Sequence, residues 1–383
     1  MTLKFTINKI ILTVIPYSLI YFLKKRISIN YLLFGKAKRN IGNYLVNDAN
    51  AEFTLYNMET ELGTEVVNGF QSCFKTYRSR KDFLRKYVLE VDNCFIEPKR
   101  GWGILANDNS LVYDSISNNT WREAYHPSWL QYKKGKDNAA CYSKLISINL
   151  IARGETNYWH FLHDLLGEIA LAKKLLPGNI PFLISKTLAT QPFFRSALLQ
   201  SGYLAHCTWV IRDDRYYKAD KAWFIQTMPN SNEQFFDVRK ILGIQDSDNT
   251  KQKKIFLKRN EKRIRFIKNN AEIETIARQY NFEVVDADNL SLQQQIELFG
   301  ETKFLVGTHG AGLTNVLFRK NAPLHLLELL PQDYLQPHYF WLSKGLGHKY
   351  SCIVGSSSAY DTSFYVEPKK FEEKLSQILR SSS

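Results

Sequence analysis

The feature that most constrains the fold is a repeated alternation of short apolar segments with longer amphipathic ones. In the first half of the chain, strands are predicted over residues 145–151, 181–185 and 209–212. Helices are predicted between them, over residues 157–176 and 193–200. Strands that alternate with helices in this way form parallel sheets covered by helices on both faces. The sequence therefore predicts an α/β fold.

The alternation stops at a polar stretch, residues 243–252, which is predicted to link two domains. Beyond it, the same pattern gives strands at 255–257, 282–285, 304–306 and 324–329, and helices at 270–280, at 292–299 and from a glycine-rich loop to residue 318. This order of elements is typical of a Rossmann-like unit. We therefore predict two Rossmann-like domains, residues 51–245 and 252–383, that face a central cleft.

Residues 1–50 carry much of the excess positive charge. They contain eight Lys or Arg and one acid, which is +7 of the formal net charge of +14. As a helix, the apolar run 10–23 is only about 21 Å long, shorter than the core of a bilayer, and Pro16 interrupts it. An apolar helix with cationic flanks suits the headgroup layer of an anionic membrane. We predict a basic amphipathic helix on the membrane surface. The alternatives are a signal anchor and a helix packed on the protein core.

Composition excludes two other classes of protein. With 44% apolar and 23% charged residues, the chain is not intrinsically disordered. Its five cysteines are scattered and form no C-x-x-C pair, so no zinc-binding pattern is present. Such cysteine usage is typical of reduced thiols in a cytosolic compartment. We expect neither a resident metal nor a cofactor.

A glycine-rich loop follows the third strand of the second domain. It reads Gly307-Thr-His309-Gly310-Ala-Gly312-Leu-Thr-Asn315. Glycine allows positive φ and close approach to a ligand, and the start of the next helix offers N–H groups to a phosphate. We predict that His309 donates to a diphosphate oxygen and that Asn315 orients the loop or the nucleotide. The alternative is a tight turn whose glycines serve packing alone.

A strongly basic stretch follows the first strand of the second domain. Residues 251–268 contain nine Lys or Arg against one acid, Glu261. We predict that Arg259, Arg263 and Arg265 converge on the diphosphate, because guanidinium groups bind phosphate oxygens in bidentate fashion and stabilise a departing diphosphate. A solvated charged hairpin is the alternative. Nucleic-acid binding is disfavoured, since aromatic residues are sparse here and no RRM, KH or zinc-finger pattern occurs.

Four polar residues mark the start of the helix predicted at 157–176: Asn157, His160, His163 and Asp164. His160 and Asp164 are four residues apart and therefore share one helix face, with His163 beside them. His160 or Asp164 is predicted to be the general base for an acceptor hydroxyl, and Asn157 and His163 are placed on the acceptor side. Two alternatives stay open. A divalent metal could bind this cluster, or Asn157 could cap the helix while the aromatic residues beside it pack in the core.

These motifs, taken in order, resemble glycosyltransferase family 61, which includes plant xylan pentosyltransferases and animal O-linked N-acetylglucosaminyltransferases. The resemblance covers residues 90–355, and its most specific block is His309-Gly-Ala-Gly-Leu-Thr-Asn315. Its other parts are Asn157-Tyr-Trp-His160-Phe-Leu-His-Asp164, Lys258-Arg259 with Arg263 and Asn269, residues 291–299, and Glu328.

The resemblance implies a GT-B architecture, inversion at the anomeric carbon, a UDP-sugar donor and no need for a bound metal. It places two arginines, the loop and one acid at the donor: Arg259, Arg263, His309, Gly310, Gly312, Asn315 and Glu328. Ala311 and Leu313, within the same loop, complete the predicted donor site. His160, Asp164 and His309 are the predicted catalytic residues. Glu328 is expected to bind a ribose or sugar hydroxyl.

The sequence therefore predicts an inverting glycosyltransferase that moves a sugar from a UDP-sugar to a hydroxyl of a glycan acceptor. Its basic N-terminus and sparse thiols differ from the lumenal plant and animal members. They resemble bacterial members that build surface polysaccharides such as capsule on lipid-linked acceptors, at the inner face of the cytoplasmic membrane. The alternatives are a catalytically silent relative that binds glycan or nucleotide, and a metal-dependent hydrolase.

Overall fold

The computed structural model shows an α/β protein built on two β-sheets. It describes residues 38, 41–48, 62–78, 86–116, 127–148, 154–227, 232–245, 252–319, 323–358 and 361–381. The apolar run at 10–23 and most of the predicted linker lie outside these ranges. Within them, no helix is both long enough and apolar enough to cross a bilayer.

The first sheet contains seven strands. They are β1 (Asn43–Asp48), β2 (Lys86–Ile96), β3 (Gly103–Leu105), β4 (Ala140–Ser147), β5 (Phe182–Ile184), β6 (Trp209–Ile211) and β7 (Tyr217–Gln226). Their order is β1-β2-β7-β4-β5-β6, and β3 pairs with β2. The neighbours among β7, β4, β5 and β6 are parallel, as predicted. The pairs that β2 makes with β1, β3 and β7 are antiparallel, so the sheet as a whole is mixed.

Seven helices are described in the first half of the chain. They are α1 (Thr64–Arg78), α2 (Trp129–Gly135), α3, α4 (Lys186–Ala189), α5 (Pro192–Gln200), α6 (Gly202–His206) and α7 (Asn232–Ile241). Helix α3 is α-helical over Tyr158–His160, π-helical over Phe161–Leu165 and α-helical again over Leu166–Leu175. It begins where Asn157 caps it, since the Asn157 Oδ1 accepts a hydrogen bond from the Trp159 backbone N–H at 2.9 Å.

The second sheet contains six strands. They are β8 (Lys253–Leu257), β9 (Glu283–Val285), β10 (Thr302–Thr308), β11 (His325–Pro331), β12 (Lys349–Ser358) and β13 (Asp361–Tyr365). The order is β13-β12-β11-β10-β8-β9, with every pair parallel except that of β12 and β13. Strand β11 is buried along its whole length, as expected for a central strand covered on both faces. The strand order reverses between β8 and β10, and ligands bind at such switch points in open α/β sheets.

The helices of the second half are α8 (Asn270–Gln279), α9 (Leu292–Gly300), α10 (His338–Gly345) and α11 (Pro368–Arg380), with a 3-10 helix at Ala311–Phe318. Helix α9 starts where it was predicted, because Ser291 and Gln294 form a capping box. The helix predicted after the glycine-rich loop is present, and it takes the tighter 3-10 form.

Both sheets contribute to one hydrophobic core. Phe161 of α3, Leu313 and Leu317 of the 3-10 helix and Phe340 of α10 belong to the same buried cluster. Helix α3 therefore packs directly on the helix that follows the glycine-rich loop. The five cysteines are free thiols, as predicted. The domain boundaries stay a prediction, and residues 43–48, assigned there to the N-terminal segment, form β1 of the first sheet.

Candidate active site

The candidate site lies where the carboxyl ends of β8 and β10 meet the start of α3. Arg259 follows β8, and His309 and Gly310 follow β10, at the switch point of the second sheet. From α3, the Tyr158 hydroxyl donates to Asn315 Oδ1 at 3.0 Å, across the boundary between the two halves. The segments predicted for the donor and for the acceptor therefore meet in one region.

Asp164 of α3 bonds to two histidines at once. Its Oδ2 lies 2.6 Å from His160 Nδ1, and its Oδ1 lies 2.6 Å from His163 Nδ1. Burial alone would raise the pKa of Asp164, but attraction to and hydrogen bonds from His160 and His163 hold it well below its usual range. Against the effect of its own burial, His160 has a pKa raised above its ordinary value by Asp164. The pairing of His160 with Asp164 confirms the predicted shared face.

The two histidines differ in how a substrate can reach them. The His163 side chain is 4% exposed, and its ring stacks on Trp159 with the centroids 4.6 Å apart. The Gln234 side chain also donates to the His163 carbonyl. The His160 side chain is 29% exposed. His160 is therefore the accessible histidine of the pair. Its Nδ1 bonds to Asp164, and its Nε2 lies on the opposite side of the ring.

His309 forms a second buried pair with Glu328. Its Nδ1 lies 2.6 Å from Glu328 Oε1, and the Tyr350 hydroxyl donates to Glu328 Oε2 at 2.6 Å. Burial and the positive charges of Arg265 and Arg259 lower the pKa of His309 well below its ordinary value. Burial raises the pKa of Glu328 to about 8. Glu328 is 0% exposed and both of its oxygens are bonded within the protein, so in this structure it holds His309; its contact with a ribose or sugar hydroxyl stays a prediction.

Two of the three predicted arginines lie close to the glycine-rich loop. The Arg259 guanidinium packs on Gly310, and its Nε donates to the Ile264 carbonyl at 2.7 Å. Arg265 lies over the Tyr334 ring, 4.7 Å from its centroid. Burial and the nearby charge of Arg265 lower the pKa of Arg259 to about 10, which leaves its positive charge in place at neutral pH.

Arg263, the third arginine, lies at the surface. Its Nη2 is 2.8 Å from Asp288 Oδ2 in an ion pair whose partners are 58% and 56% exposed. The charge of Arg263 contributes to the lowered pKa of Arg259, after burial and the charge of Arg265. The ion pair uses Nε and Nη2 of Arg263, and a contact from Arg263 to the donor stays a prediction.

Sequence reasoning missed the residues that connect the two clusters. Trp159 of α3 lies 5.8 Å from the ring of His338 and 5.3 Å from that of Tyr339. These two residues begin α10 and contact His309, at centroid distances of 6.3 and 5.0 Å. Burial and the nearby His309, His163 and His160 lower the pKa of His338 to about 3. His338 therefore stays neutral between the predicted donor and acceptor sides.

The loop glycines allow close packing and adopt no unusual backbone conformation. Gly310 has φ 175°, which is extended backbone open to any residue, so the predicted use of positive φ is wrong here. A Cβ at Gly310 would overlap Nη1 of Arg259. At Gly307 and Gly312 it would meet Leu313 and Leu257 side chains, at 2.8 and 2.9 Å. The group that approaches Gly310 here is the Arg259 side chain, and close approach of the loop to a ligand stays a prediction.

Two other loop residues were assigned to the donor site. The Leu313 side chain is 0% exposed and belongs to the shared core, so it supports the loop from behind. Ala311 is half-buried at the first position of the 3-10 helix. A contact of either residue with the donor stays a prediction.

Asn315 anchors the loop through its side-chain amide. It is 0% exposed, its Oδ1 accepts from Tyr158, and its Nδ2 donates to Gln295 Oε1 at 2.8 Å. Both ends of the amide are therefore used within the protein. Of the two roles predicted for Asn315, these bonds support orientation of the loop.

Replacement of Asn315 with alanine should lower the free energy of unfolding by about 2 kcal/mol, because it leaves the half-buried Tyr158 hydroxyl and Gln295 amide oxygen without their partner. Urea unfolding measures this change. Tyr158→Phe removes only one of the two bonds and should cost about 1 kcal/mol. If Asn315→Ala left stability unchanged and abolished nucleotide binding, Asn315 would be a donor contact and not an anchor.

Across the described ranges, no group of three or more His, Cys, Asp or Glu side chains is arranged to hold a metal ion. Asp164 has both carboxylate oxygens bonded to histidines, and Glu328 has both of its oxygens bonded as well. Independence from metal stays a prediction, which chelation can test.

Comparison with known protein families finds one similarity, in the part of the chain that carries most of the candidate site. A family model described as Glycosyltransferase 61 matches residues 158–324, which run from the first residue of α3 to the residue before β11. The matched region includes His160, Asp164, Arg259 and the whole glycine-rich loop, and it ends before Glu328 and His338. Over these residues, which are less than half of the chain, the protein is similar to glycosyltransferase family 61. No curated protein matches the chain.

Proposed function

We propose that this protein is an inverting glycosyltransferase of GT-B architecture that moves a sugar from a UDP-sugar to a hydroxyl of a glycan acceptor. One observation supports this most strongly. The His160–Asp164 pair of one half and the His309, Arg259 and Gly310 cluster of the other meet at the edges where ligands bind in α/β sheets.

The donor diphosphate binds, in this proposal, beside the glycine-rich loop. Arg259 and Arg265 supply positive charge there, and His309 supplies a neutral imidazole, since both arginines oppose its protonation. Guanidinium groups fixed in place stabilise the charge that develops on a departing nucleoside diphosphate. Fixed cations of this kind serve in place of a resident metal ion.

The acceptor hydroxyl binds beside His160. Its oxygen forms a bond to the anomeric carbon from the face opposite the diphosphate, which inverts the configuration. The bond from that carbon to the β-phosphate oxygen breaks, and its electron pair leaves with UDP. The acceptor proton passes to Nε2 of His160, whose Nδ1 is held by Asp164 at 2.6 Å. This arrangement makes His160 the general base and Asp164 the group that orients it, the logic of a base–carboxylate pair.

The acceptor is proposed to be a lipid-linked or surface polysaccharide, such as capsule, at the inner face of the cytoplasmic membrane. The basis is the charge of residues 1–50 and the apolar run within them. A basic amphipathic helix on an anionic surface would hold the enzyme beside such an acceptor.

A panel of UDP-sugars, assayed for slow UDP release in EDTA, tests the proposal. At about one hundred times its Kd, UDP should add about 2.7 kcal/mol to the free energy of unfolding. UDP release from at least one UDP-sugar, unaffected by EDTA, is the expected result.

Each of the other outcomes would contradict part of the proposal or favour another function. No stabilisation by UDP would contradict the donor assignment. Stabilisation without turnover of any UDP-sugar would favour a silent binding relative. Activity that EDTA removes and zinc restores would favour a metal-dependent hydrolase.

A further inference from the structure

Glu328 is the most deeply buried carboxyl group near the site. It lies in β11, between β10 and β12, is 0% exposed, and bonds to His309 and Tyr350 through its two oxygens. A charged carboxylate in such a position is costly unless a cation or several donors compensate it. The question is therefore where the proton between Glu328 and His309 lies.

Proton counting leaves few arrangements. The Tyr350 hydroxyl donates to Oε2, so one proton remains to be placed between Oε1 and His309 Nδ1. If it sits on Nδ1, Glu328 is a buried anion, and His309 Nε2 is either bare or part of an imidazolium. If it sits on Oε1, both groups are neutral, Nδ1 is bare and Nε2 carries the single N–H hydrogen of the neutral imidazole.

The surroundings favour the neutral arrangement. Arg265 and Arg259 oppose a positive charge on His309, and burial acts in the same direction. Burial raises the pKa of Glu328 to about 8, although Tyr350 and Arg265 oppose the shift. Burial and the carboxyl group keep the pKa values of Tyr339, Tyr350 and Cys352, which face Glu328 from α10 and β12, above their ordinary values. These three groups therefore stay neutral as well.

We propose that Glu328 is a positioning residue that acts as a neutral carboxylic acid, donating its hydrogen to His309 Nδ1 and so fixing the tautomer whose Nε2–H donates to the substrate. The proposal that Nε2–H donates to a diphosphate oxygen rests on the proposed function. The assignment of the tautomer does not. A neutral acid also adds no negative charge beside a diphosphate.

Nitrogen NMR of the full chain with ¹⁵N-labelled histidine tests the tautomer without any nucleotide. At neutral pH, His309 should show a bare Nδ1 and a protonated Nε2, with the signals assigned by their loss in His309→Gln. Glu328→Gln should leave this pattern in place, because its amide nitrogen can donate to Nδ1. A protonated Nδ1 in the wild-type protein, with Nε2 bare or also protonated, would overturn the proposal.

The pH dependence of UDP binding supplies a second readout. Above about pH 8, Glu328 ionises in the wild-type protein, so UDP affinity should fall by up to about tenfold per pH unit. The Glu328→Gln variant has no carboxyl group to ionise there, so its UDP affinity should not fall above pH 8. The matched control is Glu90→Gln, which removes a carboxyl group of β2 that pairs with Lys221; its UDP affinity should fall as in the wild type.

The outcomes are separable. Identical pH dependence in wild type and Glu328→Gln would refute the role of Glu328. Absence of UDP binding in all three proteins would instead refute the donor assignment, while the NMR result would still decide the tautomer.

Discussion

Asp164→Asn should lower kcat by about 10²- to 10⁴-fold, the range that a positioned general base contributes, while the Kd for UDP stays within about threefold of wild type. Asp164 holds Nδ1 of His160, the proposed base, so its loss should remove an interaction of the reaction step and leave the proposed diphosphate contacts intact. Turnover of the active UDP-sugar and UDP titration measure the two quantities. Asp237→Asn, at a half-buried position of α7 where the carboxylate pairs with Lys240, is the control and should retain wild-type values.

The pH dependence sharpens this prediction. A base must be neutral to accept a proton, so kcat/KM should rise with pH through the pKa of His160. Asp164 raises that pKa above the ordinary value of 6.5. Without the carboxylate the pKa falls, and the residual activity of Asp164→Asn should rise at lower pH than that of the wild type. If activity rose over the same pH range in the wild type and in Asp164→Asn, His160 would not be the base held by Asp164.

Local spacing in the sequence was enough to predict several parts of the site. The separation of His160 and Asp164 by four residues predicts a shared helix face, and the structure places His160 Nδ1 2.6 Å from Asp164 Oδ2. The strand, loop and helix around His309 were equally predictable, because glycines between an apolar strand and a second apolar run are typical of a strand–turn–helix unit. Such inferences depend on contacts between near neighbours in the chain.

Strand β7 shows where local patterns fail. Its first half carries Lys218, Asp220 and Lys221, which is unusual for a strand that lies between β2 and β4 in a sheet. The charge is accommodated because Lys221 pairs with Glu90 of β2 at 2.5 Å and reaches Asp92 at 3.6 Å. Only knowledge of the cross-strand neighbour could have revealed this compensation.

Long-range contacts also account for the residues that were missed or misassigned. His338 is a single histidine with no motif around it, and it enters the site because the chain after β11 returns to the switch point. A usable signal existed, since it follows the end of a predicted parallel strand, at the edge where ligands bind. The role of Glu328 could not be predicted, because it depends on Tyr350, 22 residues further along the chain.

The contact between Arg259 and Gly310 leads to the second large effect. Arg259→Ala should lower kcat/KM by about 10²- to 10³-fold, because it removes a fixed cation from the departing diphosphate. Gly310→Ala leaves the arginine in the sequence but places a methyl group where its Nη1 now lies. The backbone at Gly310 is extended, so alanine introduces no backbone strain, and the guanidinium at the end of a flexible side chain is the group that moves.

Gly310→Ala should therefore lower kcat/KM nearly as much as Arg259→Ala, with little change in thermal stability. The double variant should be scarcely worse than either single one, because both changes remove the same guanidinium from the same place. Gly202→Ala is the matched control, since a Cβ there meets no atom within 4 Å and the φ of Gly202 is not positive. If the loss in kcat/KM of the double variant equalled the product of the two single losses, Gly310 would act on the donor independently of Arg259. The loop would then hold the diphosphate through its own backbone, and the arginine would be a separate contact.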